Sequence, residues 1–366
     1  MDCTCSTLQE FNKIVYSCQQ IDISDLHNYL NHLRNNYYGY PDRVLRITDS
    51  SLTELDSLYN FNFQQLELNN DNISIIIPGF FRNFHQLRNL SLAHNNISEI
   101  IEGVFREMTE LQEINLSHNQ IKQLDIYTFV GLKQLTYIDL SFNQLKQLPE
   151  NIFSYQSSIT YLNIAHNNFT DIYVSNSKIS KLTMNHNQIE NIIETCDYKY
   201  LDVSYNNVTK INANAFKEAS NLKELHLQHN SLSNIPSKVF ANLVNLTYLD
   251  LSYNQFSLYQ NGPNNDWLYI FSPLSLQKVL IHHNPWSCQV LRDIVTNLQS
   301  RKIYLGDYDA QVGNSNVLGM ECYDNYYQTK IQVNDSQVSK IFLKLNIYKK
   351  NTAINKGYTV KYKRSE

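Results

Sequence analysis

LRNLSLAHNNISEI (87–100), LQEINLSHNQIKQL (111–124) and LTYIDLSFNQLKQL (135–148) are three copies of one pattern, L-x-x-L-x-L-x-x-N-x-L-x-x-L. ITYLNIAHNNFTDI (159–172), LKELHLQHNSLSNI (222–235) and LTYLDLSYNQFSLY (246–259) extend it. Its Asn recurs at Asn95, Asn119, Asn143, Asn167, Asn187, Asn206, Asn230, Asn254 and Asn284, and Ser50 and Asp71 take that place in two weaker upstream copies. Most steps are 24 residues; Asn167 to Asn187 is 20, Asn187 to Asn206 is 19 and Asn254 to Asn284 is 30. So regular a period marks a solenoid, in which each unit is one coil stacked on its neighbours.

Each repeated residue has a physical reason. The L-x-L alternation makes a short strand whose leucines, such as Leu90 and Leu92 or Leu249 and Leu251, point inward. One coil cannot bury that face alone, so the strands stack in parallel, and eleven of them give a concave sheet on the order of 50 Å long. The Asn turns the chain away from the strand and can satisfy backbone groups of adjacent coils. Ser50 and Asp71 offer only part of that donor and acceptor set, so the first two coils should be less regular. Phe81, Phe105, Phe129, Phe153, Phe216 and Phe240 fall ten residues after the Asn position and predict a spine along the convex side. The short coils of 168–206 lack it, and a tight turn is expected there. The fold class is therefore α/β: a curved horseshoe of about eleven coils, with a parallel concave sheet and an irregular or short-helical convex side.

Composition narrows the possible partners. A formal charge of −4 over 366 residues argues against binding nucleic acid through its phosphates. No run of 18 apolar residues could span a membrane, and no signal peptide is visible in this chain. Yet five of the six cysteines, Cys3, Cys5, Cys18, Cys288 and Cys322, lie towards the ends, which suggests disulfide-closed caps and an oxidising compartment.

These repeats, together with NPWSCQVLRDIVTNL (284–298) and GMEC (319–322), resemble the extracellular leucine-rich-repeat family, which includes insect secreted repeat proteins and Toll-like receptor ectodomains. The resemblance covers about residues 3–322. It implies a leucine-rich-repeat solenoid with an N-terminal cap over 1–42, repeats over 43–284, a C-terminal cap over 285–322 and a tail at 323–366, possibly forming short edge strands. By the same resemblance Cys288 pairs with Cys322, and Cys18 with Cys3 or Cys5. Gln289 and Val290 stand where many family caps have a second cysteine, so one C-terminal bridge is expected. Cys196, alone inside the short coils, reads as a small buried hydrophobe.

Candidate contact residues follow from the frame. Tyr137, Asp139, Tyr161, Tyr200, Asp202, His226, Tyr248 and Asp250 should face outward from the concave strands. A rigid surface mixing Tyr with carboxylates suits recognition of a protein or glycoconjugate. Just before the Asn runs an aromatic column, His94, His118, Phe142, His166, His186, Tyr205, His229, Tyr253 and His283. Without a third ligand type beside it, this column reads as structural or as a general contact, and not as a metal site. The irregular segment 257–274 offers Trp267, Tyr269 and Phe271 as loop contacts. N-glycosylation sequons occur at Asn72, Asn89, Asn96, Asn115, Asn168, Asn207, Asn245 and Asn334. Asn89 and Asn115 fall on the concave sheet, where a glycan would obstruct that part of the face.

No P-loop, GxSxG, HExxH, CxxC or Gly-rich dinucleotide motif is present, so neither catalysis nor a cofactor is expected. The expectation is a secreted or cell-surface-derived binding protein acting in innate immunity or cell–cell contact. A fragment of a membrane receptor ectodomain is the alternative; an intracellular scaffold or inhibitor fits the solenoid but not the terminal cysteines.

Overall fold

The computed structural model describes residues 4–323 except 11–12, 22–24, 27, 30–41, 51–53, 56–62, 83, 157, 173, 175–177, 258–266 and 307–315. Met1–Cys322 forms one compact unit; the tail of 323–366 lies outside the described residues apart from Tyr323. A sheet of thirteen strands runs through that unit. It opens with an antiparallel hairpin of β1 (Thr4–Glu10) and β2 (Lys13–Gln19) and continues in parallel through β3 (Asp42–Thr48) and β4 (Gln65–Asn69). One three-residue strand per coil follows: β5 (Asn89–Ser91), β6 (Glu113–Asn115), β7 (Tyr137–Asp139), β8 (Tyr161–Asn163), β9 (Lys181–Thr183), β10 (Tyr200–Asp202), β11 (Glu224–His226), β12 (Tyr248–Asp250) and β13 (Lys278–Leu280). From β3 onward this makes eleven parallel strands, the number the period predicts.

Inward residues carry the packing. Leu90, Ile114, Ile138, Leu162, Leu182, Leu201, Leu225, Leu249 and Val279 lie side by side in register, all buried. Each such side chain contributes roughly 1.5–3 kcal/mol by leaving water. The six spine phenylalanines are buried too, and Phe81–Phe105, Phe129–Phe153 and Phe216–Phe240 meet at 5.9, 5.9 and 5.6 Å. The convex arcs between them are successive hydrogen-bonded turns. In the second short coil the buried Tyr198 takes the spine's place, its hydroxyl donating to the Val174 carbonyl at 3.4 Å. There Asn191–Ile192 pairs in parallel with Lys210–Ile211 of the next coil. The free Cys196 is partly buried, with its Sγ 3.4 Å from the same carbonyl.

The Asn column links coil to coil. Asn143 Nδ2 donates to the carbonyls of Leu116 in the preceding coil (2.9 Å) and Leu140 in its own (3.1 Å), while its Oδ1 accepts from the Ile121 N–H (2.9 Å). The same set of bonds recurs at Asn119, Asn167, Asn230 and Asn254. Upstream the ladder is incomplete, as the sequence implies. Asp71 Oδ1 accepts from the Ser50 N–H at 2.8 Å, but its buried Oδ2 has no hydrogen-bond partner. Burial pushes the Asp71 carboxyl up to about 7, against the lowering effect of the Ser50 hydrogen bond. The adjoining β3 and β4 are seven and five residues long, a more extended form than the later coils use.

Two predictions test the ladder. Asn143→Leu leaves two carbonyls and one N–H unpaired in the core and should cost about 3 kcal/mol in urea unfolding. Asp71→Asn restores the missing donor and should raise the melting temperature. Because the folded state holds the Asp71 proton up to about 7, that carboxyl costs stability as pH rises from about 4 to 7, and the amide should abolish this dependence in melts followed by circular dichroism.

Candidate binding surface on the concave sheet

Outward positions of neighbouring strands stand side by side because the sheet is in register. The first outward position of each strand forms a row: Glu113, Tyr137, Tyr161, Lys181, Tyr200, Glu224, Tyr248 and Lys278. A bridge from Lys278 adds Tyr304. Tyr137 and Tyr161 have ring centroids 4.8 Å apart. The Lys181 ammonium lies over both Tyr161 and Tyr200, at 4.8 and 4.7 Å. Lys278 does the same between Tyr248 and Tyr304, at 5.2 and 5.8 Å. His226 occupies the second outward position of β11, with its ring 5.0 Å from Tyr200 and 4.8 Å from Tyr248. The sequence frame finds the tyrosines and, with Glu67 and Glu113, Glu224 among the outward carboxylates, but passes over Lys181 and Lys278, whose alternation with them shows only when the row is read as a unit.

The aspartates differ from expectation. Asp202 and Asp250, expected as exposed contacts, are 9% and 5% exposed. Each turns its Oδ1 back on the strand end: Asp250 accepts from the Ser252 N–H (2.9 Å) and hydroxyl (2.6 Å), and Asp202 from Ser204 in the same way. A short carboxylate two residues before a Ser closes a local turn at less cost than it would reach into solvent. Asp139 does likewise with Ser141, and its Oδ2 accepts from the Tyr137 hydroxyl (3.3 Å) and Asn163 (3.0 Å). Asp139 and Asp250 therefore orient Tyr137 and Tyr248, and all three aspartates help keep the row phenolic. Burial first, then the adjacent Asp, pushes the Tyr248 hydroxyl up to about 12 and those of Tyr137 and Tyr200 higher still.

The aromatic column at the turn after each strand is a continuous stack. From His94 through His118, Phe142, His166, His186, Tyr205, His229 and Tyr253 to His283, centroids lie 3.9–4.3 Å apart with planes within 14°. Every one of these residues has a positive φ, between 52° and 56°. That left-handed conformation costs an L-residue about 1–2 kcal/mol and is offset here by ring stacking and the adjoining Asn ladder. Among the described residues no group of three or more His, Cys, Asp or Glu could hold a metal ion.

The ends of the sheet are closed by disulfides. Cys5 pairs with Cys18 across the β1–β2 hairpin, and Cys288 with Cys322; Cys3 lies outside the described residues. A short helix α1 (Trp267–Ile270) leads to a second, α2 (Cys288–Ser300), whose apolar face packs on the last coil. Trp286 is fully buried, stacked on Phe256 at 5.6 Å, with its indole N–H donating to the Ile281 carbonyl at 2.7 Å. Of the expected loop contacts, Tyr269 is exposed but Phe271 is buried. The Arg301 guanidinium draws that segment in, donating to the Phe271 and Pro273 carbonyls. The Trp267 side chain lies outside the described residues, as do 258–266. Among the described residues no helix is long and apolar enough to cross a membrane.

Comparison with known proteins supports this architecture. The family model described as leucine rich repeat matches residues 61–121, 85–145, 109–169, 134–189 and 199–256, together just over half of the chain. The leucine-rich repeat domain of APL1B is similar at 18% identity and a TM-score of 0.50, over 83% of this chain and 98% of that one. A complex of TLR13 with single-stranded RNA is similar at 21% identity and a TM-score of 0.57, over 72% and 43%. The Toll–Spatzle complex of Drosophila is similar at 16% identity and a TM-score of 0.55, over 88% and 56%. No curated protein matches the sequence. At these identities the likeness concerns fold alone. Because one such fold is seen with RNA, the expectation against nucleic acid rests on charge only.

Three histidines of the stacked column, with His282 beside its end, set a pH dependence. His118, His166, His229 and His282 are held below the usual imidazole value of 6.5, chiefly by burial, with neighbouring imidazoles adding to it. The unfolded chain then takes up protons first, so the stabilisation is complete above about pH 6.5 and is lost as pH falls through it. The melting temperature should drop between pH 7.5 and 5.5 in differential scanning calorimetry. His118→Phe, which continues the stack as Phe142 does, should lessen the drop.

Proposed function

Because the chain belongs to the leucine-rich repeat family, we propose that it is a non-enzymatic extracellular recognition protein that binds a protein partner on the concave face of β7–β13. The observation that carries this is the row of half-buried tyrosines on a sheet whose strands are fixed in register. Tyr gives large contact area for little lost side-chain freedom, and a prearranged row loses less still on binding. In this reading 1–42 and 285–322 cap the repeats of 43–284, and both cap disulfides suit an oxidising compartment. The sequons Asn89 and Asn115 sit on β5 and β6, so glycans there would leave the tyrosine row open and confine the partner to the C-terminal half of the sheet. The Toll–Spatzle complex is one in which a protein of similar fold engages a protein partner; a role in innate immunity is proposed on that likeness.

A photoreactive benzoylphenylalanine in place of Tyr161 should crosslink a specific protein from the extracellular fluid of the source organism, and excess unlabelled protein should compete. The same residue in place of Val244, exposed in the turn before β12, should not. Equal labelling from both positions, or none from Tyr161, would refute the concave site.

A further inference from the structure

Two places in the outward row are already filled by a cation. Lys181 sits between Tyr161 and Tyr200, and Lys278 between Tyr248 and Tyr304. The place midway between them, on β11, has the same two tyrosine walls, Tyr200 and Tyr248, but Glu224 stands where the other two have lysine. The Glu224 side chain is 50% exposed and its ion pair is with its neighbour His226, 3.7 Å away. The exposed Lys199 and Lys223, just upstream of these strands, form no salt bridge with it. The His226 imidazole lies between the two rings, its buried Nε2 without a hydrogen-bond partner. Asp202 and Asp250 on the neighbouring strands add negative charge behind the same tyrosines. The place is thus an aromatic and anionic counterpart of the two lysine sites, with the His226 ring between its walls and no lysine in the row.

We propose that this place receives a lysine or arginine side chain of the protein partner, laid against the exposed Glu224 carboxylate and the Tyr200 and Tyr248 rings, beside the His226 imidazole that stands between them. The inference rests on the concave-face reading and names the chemistry of the partner. The row also sets what flanks that cation. Lys181 and Lys278 each lie two strands from Glu224, roughly 9–10 Å at ordinary strand spacing. An extended partner segment crossing the strands covers that distance in about three residues. It therefore carries an acidic residue three positions to either side of its basic one, giving the order acid–x–x–base–x–x–acid.

The test uses the purified full chain and two peptides, EGSRGSE and its charge-reversed form RGSEGSR, followed by fluorescence anisotropy at low and physiological salt. The first should bind at least about tenfold more tightly than the second, with a preference that weakens as salt rises. Glu224→Lys places lysine in a setting the row already accepts twice, so the fold should persist. It should weaken the arginine peptide by at least about tenfold and narrow its preference over the reversed one, since only the central contact is changed and the flanking acids keep Lys181 and Lys278. Glu224→Gln, nearly isosteric, should weaken the arginine peptide by about tenfold, and Glu113→Lys, outside the slot, should leave it within about twofold. No preference in the natural protein, or one undiminished by Glu224→Lys, overturns the slot. If crosslinking from Tyr161 persists while the preference is absent, the slot falls and the concave site stands; if crosslinking also fails, the site itself falls.

Discussion

A coil that leaves the sheet turns in a space closed to water, and the backbone groups exposed by that turn need partners there. One side chain per coil meets most of this demand. The Asn amide joins carbonyls of two successive coils and receives an N–H from the earlier one, so pairing that a hydrogen-bonded hairpin would supply along its length is concentrated at a single point. Strands of three residues are enough for that reason. Where the chain has Ser50 or Asp71 instead, it lengthens the strands and leaves a carboxylate oxygen unpaired in the core.

Fixed register has a second effect: residues that share a place in the repeat meet their counterparts in the next coil, whatever their distance in sequence. The stacked ring column and the outward row both arise this way, the first from a near-invariant aromatic place, the second from a variable one. Recognition on such a surface depends on the order of side chains along a line. In that line Asp139 and Asp250 act from beneath, accepting from the hydroxyls of Tyr137 and Tyr248.

The leucine period alone revealed the solenoid, the number of coils and the buried phenylalanines, since a packing face imposes the same residue type at every turn. The terminal cysteines were legible through the motif around Trp286. What the period could not disclose is where a polar side chain bends. Asp250 and Asp202 look outward in any strand frame, yet a serine two residues on recruits each into a turn. Phe271 follows a run of turn-forming residues and looks exposed, but Arg301, thirty residues away, pulls its segment inward. Both outcomes depend on a particular partner atom, which periodicity does not encode. The Tyr–Lys–Tyr–Glu–Tyr–Lys–Tyr order was present in the letters, but steps of 20, 19 and 30 residues between the Asn positions conceal it until strands are paired.

The Asn ladder also gives the molecule a grain. Each amide reaches back to the coil before it, so the turn of one coil is completed by the Asn of its successor. The last coil has no successor, and Trp286 answers with an indole N–H on the Ile281 carbonyl. Growth or shrinkage of such a chain by duplication or deletion is therefore tolerated when it cuts from one Asn to the next, whatever the length of the convex arc between. The 19- and 20-residue units are what such shortening would leave behind, with the ladder intact and only the back of the coil trimmed.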